Sequence, residues 1–199
     1  MDTPELKASE ERGKVSDEQK LRMSSLWDSL KRFDAYIGTV NFKSGLLTTL
    51  NAAIFGGVVL KADSFIQKES HYLYLLISIL TLITLLSLLS IYYVIKSIWP
   101  NLTSASTGPR GTEPHSIFFF GSIAKNFTAS EFANSVKVKS ADELERDLSI
   151  QVHEVAVITN LKFKIISKAA NLTKWNLVAL LAFGLIQTLE VAGYYICHG

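Results

Sequence analysis

Two polar side chains stand where an apolar stripe should run. From Ser140 onward, at ~100° per residue, Leu144, Leu148, Val155, Ile158, Ile166 and Ala169 share one helix face. Gln151 and Lys162 fall in the middle of that face. A lysine in an apolar stripe is costly unless it is paired. Lys162 therefore either snorkels or pairs with an acid such as Asp34, or it meets a ligand anion, with the Gln151 amide placed for a base or a ribose. His153 lies on the opposite, solvated face with Arg146, Asn160 and Lys164. It matters only if a neighbouring helix covers it. Glu190 lies ~22 Å beyond Trp175 along the same helix. Either that segment tilts until the carboxylate reaches headgroups, or Glu190 makes a polar contact between protomers with Asn51 or Gln187.

No catalytic set accompanies these residues. There is no phosphate-cradling glycine loop, no nucleophile elbow and no pair of metal ligands. The four histidines are scattered at 71, 115, 153 and 198, and Cys197–His198 offers too few ligands for a metal within one chain. The expectation is a protein that is not an enzyme, with no cofactor and no metal. A net charge of +2 gives no bulk basic surface for nucleic acid. One cysteine excludes a disulfide framework within the chain. The first 40 residues are polar and charged, which is not the pattern of a cleavable signal peptide.

The elements that position Gln151 and Lys162 follow from the clustering of apolar residues, 48% of the 199. Residues 1–15 read as a mobile tail. Residues 16–43 form an amphipathic helix with Met23, Leu26, Leu30, Phe33, Ile37 and Val40 on one stripe. Residues 44–60 are uncharged and make a first span at the lower length limit, with Asn51, Gly45, Gly56 and Gly57 suited to close helix contacts. Residues 61–71 are a short external loop. Residues 72–95 are a second span, and Tyr72, Tyr74, Tyr92, Tyr93 and Trp99 sit near its ends as interface aromatics do.

Residues 96–174 form a segment between spans, with a loop over 100–114 and a short apolar burst, HSIFFFGSI, at 115–123. A short helix opens at Thr128 or Ser130. The capping box Ser140–Glu143 then starts the long helix. No Pro or Gly follows until Gly184, so an unbroken helix to Ile196 is roughly 85 Å long. A bilayer core takes about 30 Å of that. Residues 175–196 are the third span, and the rest of the helix stands in water.

The fold class expected is thus an all-α membrane protein: three transmembrane helices, with a cytoplasmic helical bundle formed by extensions of the first and third. Basic residues set the orientation. Lys31, Arg32 and Lys43 flank span one, and Lys96, Lys162, Lys164, Lys168 and Lys174 flank the middle segment. The N-terminus and the middle segment are placed in the cytoplasm, the short loop and the C-terminus outside. The sequons at Asn101, Asn126 and Asn171 point the other way if glycosylated, and the lysines carry more weight.

The run Ser116-Ile-Phe-Phe-Phe-Gly-Ser-Ile-Ala124, followed by Glu143-Leu-Glu-Arg-Asp-Leu-Ser-Ile-Gln-Val-His153 and then Lys162, resembles the transmembrane effectors of the bacterial pyrimidine-cyclase (Pycsar) anti-phage system. The resemblance covers about Asp34 to Ile196, and the order of parts matches. Lys43 and Gly45 at the mouth of span one also fit, and Asn51 stands where a relative can have an acid. The resemblance implies a bacterial inner-membrane effector that senses a cyclic pyrimidine mononucleotide, cCMP or cUMP, and disrupts membrane integrity, giving abortive infection. A cyclic monophosphate needs a cation, an amide for the base edge and an aromatic or apolar wall. Lys162, Gln151 and the Phe118–Gly121 segment, including Phe120 and Gly121, could supply them; His153 and Lys43 complete the expected ligand set. Glu190 and Asn51 are the expected polar contacts within the membrane. Three short spans do not easily enclose a pore, so a homo-oligomer in the lipid bilayer is expected, with no nucleic-acid partner. The alternatives are a membrane effector of another cyclic nucleotide signal and a constitutive structural membrane protein without ligand.

Overall fold

The computed structural model describes residues 15–65, 72–99 and 115–198, the side chains of residues 63, 65 and 193–198 excepted. The expected tail up to residue 14, most of the 61–71 loop, the 100–114 loop and the side chains of Tyr194, Tyr195, Cys197 and His198 lie outside the described residues. Within them, every regular element is an α-helix: α1 (Asp17–Phe65), α2 (Leu73–Ile98), α3 (Phe120–Asn126), α4 (Ala129–Val138) and α5 (Ala141–His198). Among these, α1, α2 and α5 are long and apolar enough to cross a membrane.

The helix starts are set by local chemistry. Glu131 N–H and Glu143 N–H donate to the hydroxyls of Thr128 and Ser140. The two glutamates reach back to accept from the Thr128 and Ser140 N–H groups at 2.8 and 2.7 Å. Both are complete capping boxes, so the expected starts at Thr128 and Ser140 are observed. α1 runs through Lys43 and Lys61 and ends at Phe65, past the expected start of the loop. It holds no Pro, and its glycines lower helix propensity without breaking the hydrogen-bond ladder.

The chain divides into two units, residues 1–36 with 100–160 and residues 37–99 with 161–199. In the first, the start of α1 lies parallel to the start of α5. Gln19 Nε2 donates to Asp142 Oδ1 at 2.7 Å, and Arg22 Nε donates to Glu145 Oε1 at 2.6 Å. Both pairs share a sequence offset of 123, which fixes the register. Ile117 and Leu148 are buried in this unit.

In the second unit α1 and α5 again run parallel and α2 runs antiparallel to both. Asn51 meets Thr173, and Ser90 and Ser87 meet Thr173 and Asn176 in descending order. The buried positions of α2 are Leu76, Leu80, Ile83, Ser87, Ser90, Val94 and Ser97, in alternating steps of four and three. On α1 the least exposed positions from Gln19 to Val58 follow the same alternation, and Met23, Leu26, Leu30, Phe33, Ile37 and Val40 all fall on it. This is the seam of coiled-coil-like packing. On α5 the rhythm from Leu148 to Phe183 is interrupted by successive steps of four from Gln151 through Val155 to Thr159, and again by successive steps of three from Thr173 through Asn176 to Ala179. The first, a stutter, locally unwinds the seam.

The expected role of three glycines is corrected within the chain. A Cβ added at Gly45, Gly56 or Gly57 meets nothing within 4 Å. Asn51 does occupy a facing position of α1, and Ser44 and Val58 do so instead of the glycines.

The capping hydrogen bonds hold the Glu131 and Glu143 carboxyls below their ordinary value. A depressed carboxyl contributes stability that is present above its unfolded value and lost as pH falls through the folded one. Amide exchange at the first turns of α4 and α5 is therefore expected to accelerate as pH falls below ~4, after correction for the intrinsic rate. The same turns are expected to be insensitive to pH between 6 and 8 (roughly two to four units above that range).

Candidate functional site

In the first unit the aromatic segment is docked by a buried carboxylate. Asp147 lies one residue before Leu148 on α5, and both are buried. Asp147 Oδ2 accepts from the Ile117 N–H at 2.9 Å and from Lys139 Nζ at 3.3 Å. Lys139 Nζ also donates to the His115 carbonyl at 3.3 Å. The ion pair is itself mostly covered, with side chains 16% and 10% exposed. Ser116 Oγ accepts from the Phe118 and Phe119 N–H groups, which turns the chain into α3. Phe118 packs on Trp27 of α1, ring centroids 6.0 Å apart.

The expected ligand residues of this unit fall into two sets. Gln151 is 3% exposed, and its Nε2 has no hydrogen-bond partner within the protein. It stands one turn beyond Asp147 on the same helix face, at the i,i+4 spacing. A buried amide without a partner costs about 1–3 kcal/mol, so an acceptor is wanted there. Gly121 is half-buried, and a Cβ there would stand 2.7 Å from the Phe119 ring. The glycine is what lets that ring fold back over the start of α3. Phe120 is 65% exposed and stacks at 5.0 Å on Phe119. His153 is exposed, on the face opposite Gln151.

Lys162 and Lys43 belong to the second unit. Lys162 Nζ donates to the Ser97 carbonyl at 2.6 Å. That carbonyl lies in the last turn of α2, where carbonyls lack intrahelical donors and the helix end is negative. The lysine therefore caps α2, a partner neither of the sequence alternatives contained. Burial pushes its ammonium below the ordinary lysine value. Lys43 is exposed.

The centre of the second unit is polar. Asn51 Nδ2 donates to Thr173 Oγ1 at 2.8 Å and to Ser90 Oγ at 3.2 Å. Asn176 Nδ2 donates to Ser87 Oγ at 2.6 Å and to Asn51 Oδ1 at 3.3 Å. Ser90 and Thr173 share a hydrogen bond at 2.9 Å, and Ser90 Oγ also reaches the Ala169 carbonyl at 3.1 Å. Asn51, Ser87, Ser90 and Asn176 have no exposed surface. The amide of Asn51 is thus used inside the chain. Glu190 is half-buried.

Several of these residues escaped the sequence reading. Asp147 stands next to the apolar face of α5, and its charge there was a legible signal. Ser87, Ser90 and Ser97 recur at steps of three and seven in a span otherwise rich in Leu and Ile, which marks a helix face. Trp27 and Thr173 gave no such signal; only packing identifies them.

A family model described as the Pycsar effector protein domain (PycTM) matches residues 25–189. No curated protein and no solved structure matches the chain.

Replacing Asp147 by Ala leaves the Ile117 N–H and the Lys139 ammonium without their acceptor. The expected loss of stability in the first unit is about 2–4 kcal/mol, as for a buried charged hydrogen bond. Thermal unfolding should register it, and limited proteolysis should gain cleavage around Ser116–Phe120. An unchanged pattern would show that the segment is held by its aromatic contacts alone.

Proposed function

The chain belongs to the Pycsar effector family, and from that membership we propose that it senses a cyclic pyrimidine mononucleotide, cCMP or cUMP, and then permeabilises the membrane that holds it. A Pycsar effector is a protein of anti-phage defence, and this one has helices suited to a membrane. The finer statement rests on the chemistry of the first unit.

The observation that carries it is the buried, unpartnered Nε2 of Gln151. An amide donor in that state fits an acceptor on a base edge, and both cytosine and uracil present a carbonyl at C2. Gly121 and the Phe118–Phe120 run supply an aromatic wall in the same unit. In the second unit Lys162 holds the Ser97 carbonyl, and its lowered ammonium marks a charge that gains from an anion. His153 and Lys43 contribute as exposed groups. In this reading the N-terminus and residues 96–174 face the cytoplasm, the C-terminus lies outside, and the working form is a homo-oligomer. A ligand switches the protein only through different affinity for two packings. The stutter of α5 between Gln151 and Thr159 locally unwinds the seam in the unit that holds Gln151.

Calorimetry on the purified protein tests the reading. Binding of cCMP or cUMP is expected, with at least a tenfold loss in Gln151→Ala and in Lys162→Ala, each about 1.4 kcal/mol or more. Gln151→Glu should weaken binding further, because it removes the donor and adds a charge like that of the phosphate. Unchanged affinity in the alanine variants removes those residues from the site. Absence of binding by either nucleotide removes the ligand class.

A further inference from the structure

The hydroxyl groups of the second unit fall into two populations. Exposed ones on the spans bond back to their own helix: Thr49 to the Gly45 carbonyl, Thr81 to that of Ile77, Thr188 to that of Gly184. They are satisfied locally and ask nothing of the neighbouring helices. Buried Ser87, Ser90 and Thr173 bond between helices, with Asn51 and Asn176. Meanwhile large apolar side chains face outward, Leu181 at 68% and Leu189 at 73% exposure. The unit is apolar outside and polar inside, the inverse of a water-soluble bundle.

The polar core is sealed at both ends. On the Lys162 side stand Val40, Val94, Ile166 and Ala169. On the other stand Val58, Leu76, Leu80, Ile83 and Phe183. The core is also incompletely satisfied: Asn176 Oδ1 is buried without a partner, and so are Ser44 Oγ and Ser97 Oγ at the Val40–Val94 end. Each such atom disfavours the dry, closed packing, and each would be satisfied by water. A hydrogen-bonded layer between helices also competes poorly once water reaches it, whereas an apolar layer excludes water by its own surface.

We propose that the Asn51–Ser90–Thr173–Asn176 core is a closed segment of a path for water and small ions, held shut by the two apolar clusters that bracket it. The proposal rests on the reading that the activated protein permeabilises the membrane, and it names the route. Opening separates the seam in each protomer of the homo-oligomer, so that the hydrated hydroxyl and amide groups of several protomers together line the path that three spans do not easily enclose. The two apolar clusters act as gates by dewetting.

The test uses the full chain in liposomes, reading efflux of potassium and chloride together with a large trapped dye. Val94→Thr and Ile83→Thr keep the β-branched shape and place a hydroxyl in each gate. Combined, they are expected to pass ions without nucleotide at least tenfold faster than wild type while the dye stays inside. A tight double variant with unchanged helix content and elution volume overturns the proposal, and so does release of the dye together with the ions. Should the double variant fail to fold, Ser87→Ala combined with Ser90→Ala decides. That pair should cut nucleotide-triggered ion flow about tenfold while calorimetric affinity stays at the wild-type value. Triggered flow at the wild-type rate in that pair sinks the route and leaves the ligand reading standing. Wild type that ignores both nucleotides while the Thr pair leaks does the reverse.

Discussion

The hydrogen bonds around Asn51 are the interaction on which the second unit depends. In a bilayer the apolar surface of a helix gains nothing by meeting another helix, because lipid is as apolar as leucine. What brings spans together is close packing and polar groups that find no partner in lipid. Asn51 on α1, Ser87 and Ser90 on α2, and Thr173 and Asn176 on α5 form one connected set across all three helices. Each helix alone would leave a polar group stranded in hydrocarbon. The apolar clusters above and below then fill space, and the outward leucines need no protein partner.

The first unit obeys the opposite rule. Its Arg22–Glu145 pair and the capping boxes at Thr128 and Ser140 lie on its surface, whereas the Lys139–Asp147 pair is mostly covered. Exposed pairs of this kind set register more than stability. Its specificity comes from Asp147, whose carboxylate ties the Ser116–Phe119 turn to α5 by one backbone N–H and one lysine. The aromatic segment is too short to span a membrane, and it is anchored here to a buried charge. The turn thus has a defined place relative to Gln151, one helical turn further along.

α1 and α5 each belong to both units, so both chemistries are written on the same two helices. On α1 the packing rhythm is unbroken from Gln19 to Val58, across the change from charged surface to apolar surface. On α5 the rhythm slips twice, over Gln151 to Thr159 and over Thr173 to Ala179. The seam is thus even on α1 and uneven on α5.

Much of the architecture was legible in the residue order. The start of α5 followed from Ser140–Glu143, because capping is local chemistry within four residues, whereas the choice between Thr128 and Ser130 for α4 was decided by the Thr128–Glu131 capping box. The apolar stripe of α1 and the place of Gln151 within that of α5 followed from a 3.6-residue period. Absence of proline foretold the unbroken length of α5. The local rules also misjudged some positions. Of the residues expected to suit close contacts, Asn51 takes a facing position, whereas Gly45, Gly56 and Gly57 do not, and Ser44 and Val58 face the partners instead. The end of α1 at Phe65 was missed because a lysine at 61 reads as a boundary although it is a good helix former. Partners were beyond reach altogether: that Lys162 caps α2 through Ser97, that Asp147 holds Ile117, and that Asn51 joins Thr173 are pairings of residues 30 to 122 positions apart. Sequence determined which faces exist and which residues lie on them, because periodicity and capping are short-range. Only the tertiary structure decided which faces meet, because that depends on the relative register of helices, which no local pattern specifies.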